Sequence, residues 1–327
     1  MNVTVIGAGA WGTALARLLC ISGNAVTIWG HDPAKLEAFR RARENKRYLA
    51  GILIAGDWKV EPDLARACAN SDCVVVAVPS KAFREVTALA PDFAGVAVSV
   101  TKGIECDTAL TMCGVLQETM PRATPVALSG PTLALEVARD IPTAIVAASE
   151  SADAAAIVQG LFHRPTFRVY TSTDTLGVEL GGALKNIIAI AAGLCDGLGL
   201  GDNSKAALLT RGIAEMRRLG VARGARAETF AGLSGLGDLA VTCFSKLSRN
   251  RTLGERLGRG ERLPDILSSV PTVAEGYPTA RSAFQMADKL QVYTPIIHEA
   301  HALLHEGKGV AQAVHDLLVR ESKSEDE

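Results

Sequence analysis

Apolar and polar positions follow two different patterns along the chain, and the change from one to the other divides it in two. From residue 2 to about 171, short β-branched apolar runs are separated by longer segments with helical spacing of apolar residues, such as 11–19 and 109–120. Nearly continuous apolar runs are typical of strands buried on both faces. This first pattern predicts an α/β unit, a mostly parallel sheet with helices on both faces. Its predicted strands are residues 3–6, 26–29, 73–78, 96–100, 126–128, 143–147 and 167–170.

The β-branched runs stop at about residue 173, and segments rich in Ala, Leu, Gly and charged residues continue to about residue 320. This second pattern predicts an all-helical C-terminal domain whose first helix, 176–192, is long and buried. The last seven residues contain no apolar side chain and are predicted to form a disordered tail. The predicted organisation is therefore residues 1–175, residues 176–320 and a tail at 321–327.

The composition agrees with two ordinary globular domains and disfavours several classes of partner. A chain of 327 residues is too long for one compact core. Its formal net charge of -1 provides no overall field for nucleic acid or an anionic membrane. The seven cysteines include no C-x-x-C pair, the apolar stretch 187–195 is short for a membrane span, and no basic leader segment opens the chain. We therefore expect a cytoplasmic protein with no nucleic-acid partner and no membrane insertion.

A glycine-rich loop lies between the first predicted strand and the first predicted helix. Gly7, Gly9 and Gly12 form the pattern G-x-G-x-x-G, with Ala10 and Trp11 between the last two glycines. In this context the glycines allow a tight turn, close approach of a pyrophosphate and close packing of helix on strand, while the helix N-terminus attracts an anion. The alternative explanation is an incidental glycine-rich turn, which the position of the loop between a strand and a helix disfavours. The loop predicts a nicotinamide dinucleotide site.

The end of the second predicted strand should select between NAD and NADP, and its residues point in both directions. Asp32 stands 20 residues after Gly12, where an acid favours NAD by binding the ribose hydroxyls. His31 and a following basic cluster could instead neutralise a 2′-phosphate, although a solvated helix face also explains the cluster. We expect either cofactor, NAD or NADP, to be usable. The cluster consists of Arg40, Arg41, Arg43, Lys46 and Arg47.

Lys185 is the main candidate for proton transfer. Hydride reduction of a ketone needs a donor beside the carbonyl oxygen, where negative charge develops. Lys185 is the one basic residue in an apolar, small-residue helix, where an isolated charge would cost several kcal/mol unless it is paired or used. Burial and a second cation such as Lys102 would lower its pKa toward neutrality. A snorkelling lysine at a domain boundary is the alternative explanation.

Lys102 and the segment Ser129-Gly130-Pro131-Thr132 each follow a predicted strand. Ligands of open α/β sheets gather at this end of the strands. The segment is predicted to open a helix with its proline near the first turn, which leaves backbone amides available for an anion. An ordinary loop lysine and a simple helix start are equally consistent with these two features taken singly.

Two further segments of the helical half contain candidate site residues. Asp238 follows the glycines of Gly235-Leu236-Gly237, and Ser248, Arg249 and Asn250 combine a guanidinium with an amide in a suitable phosphate clamp. Each is a weak signal alone. A phosphorylated ketone is the small substrate that this combination favours.

Taken in order, these motifs resemble the bacterial type of NAD(P)-dependent glycerol-3-phosphate dehydrogenase. The resemblance covers residues 3 to about 318. One residue departs from the family pattern: Ala10 stands where many relatives have serine. The missing hydroxyl could have reached the pyrophosphate, so we expect slightly weaker cofactor binding. The motifs that carry it are Gly-Ala-Gly-Ala-Trp-Gly-Thr-Ala from Gly7, Val78-Pro79-Ser80, Thr101-Lys102-Gly103, Ser129-Gly130-Pro131-Thr132, the segment from Gly181 to Asn186, that from Gly235 to Leu239, that from Ser248 to Arg251, and Glu275-Gly276.

The resemblance implies an N-terminal Rossmann domain, a helical second domain, a homodimer, and interconversion of dihydroxyacetone phosphate and sn-glycerol 3-phosphate for glycerophospholipid synthesis. It implies that Lys185 exchanges the proton with support from Asp238. The substrate pocket it implies contains Lys102, Gly130, Thr132, Lys185, Asn186, Asp238, Thr242, Ser248, Arg249 and Asn250. The cofactor site it implies contains Gly7, Gly9, Ala10, Trp11, Gly12, His31, Lys102, Ala134, Arg249, Val273 and Glu275.

Two other functions and one other site remain open from the sequence. A related Rossmann reductase could act on a hydroxy acid, and a non-catalytic dinucleotide sensor could have kept the fold. Arg249 and Asn250 favour a phosphate ester over the first, and the presence of Lys185 and Asp238 argues against the second. His298, His301 and His305 share one predicted helix face. We interpret that face as solvated or lightly packed and expect no metal.

Overall fold

The computed structural model describes residues 1–269, 274–321 and 324. One eight-stranded sheet organises the first half, in the order β3-β2-β1-β4-β5-β6-β7-β8. All neighbouring strands are parallel except β6 and β7. The strands are β1 Asn2–Ile6, β2 Ala25–Trp29, β3 Trp58–Val60, β4 Cys73–Val76, β5 Val96–Ser99, β6 Thr124–Ser129, β7 Thr143–Ala148 and β8 Phe167–Ser172.

Seven helices connect these strands. Two apolar clusters cover the sheet, one on each side: Val5 and Ile28 belong to the first, and Ile6 and Val76 to the second. The alternation follows the strand period of two, so that each strand is buried on both faces. The helices are α1 Ala10–Ile21, α2 Pro33–Ala42, α3 Leu64–Cys68, α4 Ser80–Thr87, α5 Met112–Thr119, α6 Ala134–Ala138 and α7 Ala152–Phe162.

The second half contains only helical elements among its described residues. It begins with α8, Thr175–Leu198, around which the other helices share one aliphatic core. The remaining helices are α9 Gly201–Ala222, α10 Asp238–Phe244, α11 Arg249–Gly258, α12 Leu263–Ser269, α13 Gly276–Lys289, α14 Pro295–His305 and α15 Val310–Leu318, with a 3-10 turn at Ala227–Ala231 and a π turn at Leu233–Gly237 between α9 and α10.

Helix α8 is long and apolar enough, by length and hydropathy, to cross a membrane. However, 89% of its most apolar window is buried by the surrounding protein. Lys185 lies in the middle of this helix. The helix is therefore the core element around which the second half packs.

Glycines let α8 and α11 approach with their backbones in direct contact. A Cβ at Gly193 would lie 1.9 Å from the carbonyl oxygen of Arg251, and a Cβ at Gly254 would lie 1.9 Å from that of Ile190. Gly197 shows the same close approach, with 2.3 Å to the oxygen of Glu255. We call this contact the glycine seam. It fixes the N-terminal end of α11 beside the middle of α8.

The fold class predicted from the hydrophobic pattern is confirmed, with differences of detail. The short edge strand β3 was not predicted, because three residues that are only partly buried give no apolar run. The predicted strand at 73–78 ends at Val76, and the predicted helix 109–120 begins at Met112. The predicted domain boundary at 175/176 falls at the start of α8 and stays a prediction. Of the predicted tail, only Glu321 and Ser324 are among the described residues.

Candidate functional site

The glycine loop joins β1 to α1 at the carboxyl edge of the parallel strands. Gly7 has φ +122 and donates its amide to Trp29 of β2, at 2.9 Å. A Cβ at Gly12 would lie 2.0 Å from the carbonyl oxygen of Gly7, so only glycine permits this turn. A Cβ at Gly9 would meet nothing within 4 Å. The loop therefore leaves open space in front of the α1 N-terminus, which fits the pyrophosphate of a dinucleotide.

Beside this loop, Trp11 is half-buried and packs against the aliphatic clusters that cover α1. Ala10 begins α1, and Ala134 begins α6, which packs on α1. The structure thus brings these three predicted cofactor residues to the same side of the sheet. Val273 lies outside the described residues.

The end of β2 presents an exposed imidazole and a carboxylate with structural partners. His31 is exposed. Asp32 caps α2, accepting from the amide of Lys35 at 3.1 Å, and also pairs with the Lys35 ammonium. The hydrogen bonds from Lys35 lower the pKa of this carboxyl. Asp32 is therefore ionised beside the predicted ribose position.

Much of the basic cluster after Asp32 is engaged elsewhere. Arg40 and Arg41 both pair with Glu37 on the exposed face of α2, each at 2.7 Å. Arg43 donates to the carbonyl oxygens of Ile54 and Gly56. The contacts of Arg40 and Arg41 fit the explanation as a solvated helix face, and Arg43 anchors the loop after α2.

Two lysines converge on one buried carboxylate. Lys185 Nζ lies 2.8 Å from Asp238 Oδ1, and Lys102 Nζ lies 2.5 Å from Asp238 Oδ2. Thr242 accepts from Lys185 at 2.5 Å and donates to the carbonyl oxygen of Asp238 at 2.6 Å. Only 2% of the Asp238 side chain is exposed. We call Lys102, Asp238 and Lys185 the lysine–aspartate cluster.

The electrostatics of the lysine–aspartate cluster set the protonation of Lys185. Burial lowers the pKa of Lys185 to about 8, and the charge of Lys102 adds to this effect, whereas Asp238 opposes it. A lysine with a pKa of about 8 can both hold and release a proton near neutral pH.

The positions of these groups follow from local structure. Lys102 follows β5 and crosses to the helical half, where Asp238 begins α10 directly after the π turn. A Cβ at Gly181 of α8 would lie 2.7 Å from the carbonyl oxygen of Ser234 in that turn, and one at Gly182 would lie 3.4 Å from Cγ of Lys102. The small residues before Lys185 thus let the strand-end loop and the π turn approach α8 closely.

The segment after β6 contributes a carbonyl group instead of the predicted helix start. Gly130 has φ +156, and its carbonyl oxygen accepts from Lys102 Nζ at 2.9 Å and from the hydroxyl of Thr132 at 3.0 Å. Helix α6 begins only at Ala134, so Pro131 lies before its first turn, contrary to the prediction. The positive φ of Gly130 and the hydrogen bond from Thr132 to its carbonyl oxygen hold this backbone in a non-helical turn before α6.

The asparagines and Arg249 lie where α11 meets α8. Asn250 Nδ2 donates to Asn186 Oδ1 at 2.8 Å, and its Oδ1 accepts from the amide of Gly276. Ser248 is the N-cap of α11 and accepts from the amide of Arg251, so its hydroxyl is engaged in the helix end. Arg249 is the first residue of α11. The glycine seam therefore holds the predicted phosphate clamp beside Asn186, the residue that follows Lys185 in α8.

Glu275 connects the two halves of the protein. Its carboxylate accepts from the amide of Ser80 at 3.1 Å and from its hydroxyl at 2.5 Å, at the start of α4. Burial raises the pKa of Glu275, although both hydrogen bonds from Ser80 oppose the rise. Sequence reasoning named Ser80 only within the motif Val78-Pro79-Ser80 and assigned it no role; its position between β4 and α4, at the same edge of the sheet as Lys102, was a further signal.

The histidine face of α14 is more closely packed than predicted. His301 is buried and stacks on Phe284 with ring centroids 4.0 Å apart. His298 packs edge-on against Phe284, and Nε2 of His305 lies 2.9 Å from the carbonyl oxygen of Tyr277. The imidazoles serve as packing groups between α13 and α14. Within the described ranges, no group of three or more His, Cys, Asp or Glu residues is placed to hold a metal ion.

Comparisons with known proteins agree with this geometry. A family model described as the NAD-dependent glycerol-3-phosphate dehydrogenase N-terminus matches residues 2–155, and the model of the C-terminus of the same family matches residues 174–315. Among solved structures, that of glycerol-3-phosphate dehydrogenase from Coxiella burnetii superposes with a TM-score of 0.93 at 35% identity, over 98% of this chain and 99% of that one.

Curated relatives are similar over their whole length. A protein of Syntrophotalea carbinolica named glycerol-3-phosphate dehydrogenase (NAD(P)+) is 49% identical over 331 residues, which is 99% of each chain. One of Geobacter sulfurreducens with the same name is also 49% identical, over 99% of this chain and 98% of its own. The chain therefore belongs to the NAD-dependent glycerol-3-phosphate dehydrogenase family.

Proposed function

We propose that this protein reduces dihydroxyacetone phosphate to sn-glycerol 3-phosphate, reversibly, using NADH or NADPH. The observation that carries the proposal is the lysine–aspartate cluster: two ammonium groups share one buried carboxylate at the carboxyl edge of the strands that carry the glycine loop. Such a pair of cations suits a carbonyl oxygen that becomes negatively charged during reduction.

Lys185 is the proposed proton donor. The bound nicotinamide supplies the hydride that forms the new C–H bond at the substrate's C2. Protonated Lys185 gives one proton to the former carbonyl oxygen and is left as a neutral amine, which takes up a proton from solvent before the next reduction. In the reverse reaction the neutral amine accepts the proton of the substrate hydroxyl. Asp238 holds Lys185 in place, and Thr242 fixes the direction of its ammonium group.

Lys102 has a proposed electrostatic role beside Lys185. Its charge lowers the pKa of Lys185, and its ammonium group pairs with Oδ2 of Asp238, whereas Lys185 pairs with Oδ1. It therefore favours release of the proton and stabilises negative charge on the substrate oxygen. Its position after β5, close to the cofactor edge, also supports contact with the cofactor.

The phosphate of the substrate is proposed to bind at the α11 N-terminus. Arg249 and Asn250 offer charged and neutral donors there, and Asn186 orients the amide of Asn250. Gly130 and Thr132 would close the opposite wall. The remaining predicted cofactor contacts, His31, Val273 and Glu275, keep their proposed roles around the dinucleotide.

We further propose that the protein works as a cytoplasmic homodimer and supplies glycerophospholipid synthesis. All seven cysteines are free thiols, which supports a reducing compartment. The dimer and the metabolic role rest on the family resemblance.

A spectrophotometric assay tests the reaction. Purified protein with dihydroxyacetone phosphate should oxidise NADH or NADPH and form sn-glycerol 3-phosphate. Turnover of 2-keto acids in place of the phosphorylated ketone would instead support the hydroxy-acid reductase, and cofactor binding without turnover would support the sensor. Either of those outcomes rejects the proposal.

A further inference from the structure

A small cavity of about 10 Å³ lies behind Lys102, between the carboxyl ends of β5 and β6 and the side of α8. Both polar and apolar groups line it. The lining residues are Ser99, Thr101, Lys102, Ala127, Leu128, Ser129 and Glu179.

Two serines of this cavity carry buried hydroxyls. Ser99 ends β5 and is 3% exposed, and Ser129 ends β6 and is 5% exposed. Neither hydroxyl has a hydrogen-bond partner among the described residues. Leaving a buried polar group unsatisfied costs about 1–3 kcal/mol, so native proteins supply a partner, often a water molecule.

Glu179 adds an ionisable group to the same cavity. It projects from α8, and its carboxyl accepts from the amide of Cys113 at 2.8 Å in the first turn of α5. It is 7% exposed, and burial raises its pKa. Together with the serines it provides three polar side chains around a space that suits one water, which needs about 10–15 Å³ and two to four polar partners.

We propose that this cavity binds one ordered water molecule, held by Ser99, Ser129 and Glu179, and that the water and these side chains position Lys102 on Asp238. The claim that Lys102 is positioned for catalysis rests on the proposed roles of Lys102 and Lys185. The claim that the cavity binds a water does not depend on the proposed reaction.

The route from the cavity to Lys102 is short. A Cβ at Gly182 would lie 2.6 Å from Ser129 Oγ and 3.4 Å from Lys102 Cγ, so the hydroxyl and the lysine stem pack on the same glycine. Ser129 also precedes Gly130, whose carbonyl oxygen holds Lys102 Nζ. A water that fixes the Ser129 hydroxyl therefore supports both the stem and the carbonyl partner of Lys102.

A high-resolution crystal structure of the full chain tests the binding. We expect electron density for one water within hydrogen-bond distance of Ser99 Oγ and Ser129 Oγ, and loss of that water in Ser99→Val, where the added methyl groups occupy the space. A dry cavity in the wild-type protein, with the two hydroxyls rotated onto protein carbonyl groups, overturns the proposal.

Kinetics of Ser129→Ala test the positioning. The charged and titratable groups around Lys185 are Asp238 and Cys243 on α10 and Lys102 from the strand end. If Lys102 moves away from Asp238, its effect on Lys185 weakens and the pKa of Lys185 rises. We expect kcat to fall about tenfold, in line with a small displacement of an active-site group, and the alkaline limit of the reduction to move to higher pH.

A double variant and a matched control separate positioning from general destabilisation. In the Lys102→Met background, Ser129→Ala should have no further effect on kcat or on the pH limit. Ser149→Ala is the control, because it removes another buried serine hydroxyl, which donates to the carbonyl oxygen of Pro125 at the opposite end of β6 from Ser129. Equal losses with and without Lys102, or the same pH shift in Ser149→Ala, reject the positioning role. Failure of the proposed function would appear as absent turnover in the wild type, with the crystallographic result unaffected.

Discussion

Lys185 shows how a single side chain acquires chemistry from its surroundings. Its helix is apolar for many residues, so the ammonium group has little water and its pKa falls to about 8. Asp238 prevents a larger fall by pairing with it. The same lysine on an exposed helix would keep a pKa above 10 and would transfer protons poorly at neutral pH.

Replacing Lys185 by alanine should slow turnover at least a hundredfold. General acid catalysis contributes roughly 10²- to 10⁴-fold, and in the proposed reaction Lys102 stabilises negative charge but does not donate the proton. Steady-state kinetics and cofactor titration measure the effect, and cofactor affinity should stay close to wild type. Lys205→Met is the matched control, since it removes another buried lysine that pairs with an aspartate, Asp196, and neither residue belongs to the cluster. Near-normal turnover of Lys185→Ala would remove this residue from the proposed role.

The pH dependence should report the same group. Reduction needs Lys185 protonated, so kcat for dihydroxyacetone phosphate should decline as the pH rises through about 8. Oxidation of glycerol 3-phosphate needs the neutral amine, so its rate should rise through the same range. Initial rates between pH 6 and 10 in both directions check this prediction. A common pH limit with the same sign in both directions would contradict it.

At the scale of elements, the glycine seam decides where the site residues of α11 lie. Three glycines bring two helix backbones into contact, and the N-terminus of α11 meets Asn186 as a result. An added Cβ in the seam would clash with backbone carbonyl oxygens, and no side-chain rotamer change can relieve such a clash. Its tolerance for substitution should therefore be lower than that of an ordinary leucine-packed interface.

The substitution Gly254→Ala tests the seam. Its Cβ would lie 1.9 Å from the carbonyl oxygen of Ile190, so α11 must shift. We expect a loss at the upper end of the overpacking range, about 3 kcal/mol, and a melting temperature lower by at least about 5 °C. Substrate KM should rise as well, because Arg249 and Asn250 move with α11. Thermal unfolding and kinetics measure both effects.

Gly160→Ala provides the control for this prediction. Gly160 lies in α7, is exposed, and its Cβ would meet nothing within 4 Å. Alanine there should be neutral or stabilise by up to about 1 kcal/mol, because it forms helices better. Equal melting temperatures of the two variants would show that the seam is adaptable.

The elements were predictable from sequence to the extent that periodicity determines them. Buried strands such as β1 and β4 give continuous apolar runs, and α8 gives a long apolar helix. Strand β3 was not predicted because its hydrophobic pattern is weak. The antiparallel pairing of β6 and β7 could not be predicted either, since the composition of a strand does not indicate its direction. The candidate site residues were found through motifs, whereas their distances depend on packing that no local pattern encodes. The distance from Lys102 to Asp238 depends on packing between the two halves, and that from Lys185 to Asp238 on packing among the helices of the second half.

On the scale of the whole molecule, the site is assembled from both halves of the chain. Lys102 comes from the sheet half, and Lys185 and Asp238 from the helical half. Additional contacts hold the sheet half against the helical half. Glu275 accepts from the amide of Ser80. Asp174, at the start of α8, accepts from the amide of Arg226 and the hydroxyl of Thr229. Relative motion of the halves would therefore change the lysine–aspartate cluster directly.

Ser80→Ala tests the contribution of the junction. The variant loses the hydroxyl bond to Glu275 but keeps the amide bond, so we expect a melting temperature a few degrees lower, as for one charged hydrogen bond. Tryptophan fluorescence reports the sheet half, which contains Trp11, Trp29 and Trp58, and far-ultraviolet circular dichroism is dominated by the helices. Both signals should shift together, because the remaining contacts still couple the halves.

Ser268→Ala is the matched control for the junction, since its exposed hydroxyl donates to the carbonyl oxygen of Asp265 within one helix. Its melting temperature should stay at the wild-type value. Two separate transitions in Ser80→Ala would show that the halves unfold independently and would contradict the expected coupling.

The separation of Lys102 from Asp238 in sequence has a consequence for synthesis. The two residues are 136 positions apart, so at 5–20 residues per second the ribosome needs roughly 7–27 s to supply the aspartate after the lysine. Strands β1 to β5 precede Lys102, and β6, β7 and β8 are synthesised within this interval, so all eight strands are complete before Asp238 appears. The nascent sheet half thus passes through a stage in which Lys102 lacks its partner Asp238, and the proposed site is complete only when the helical half docks onto the sheet half.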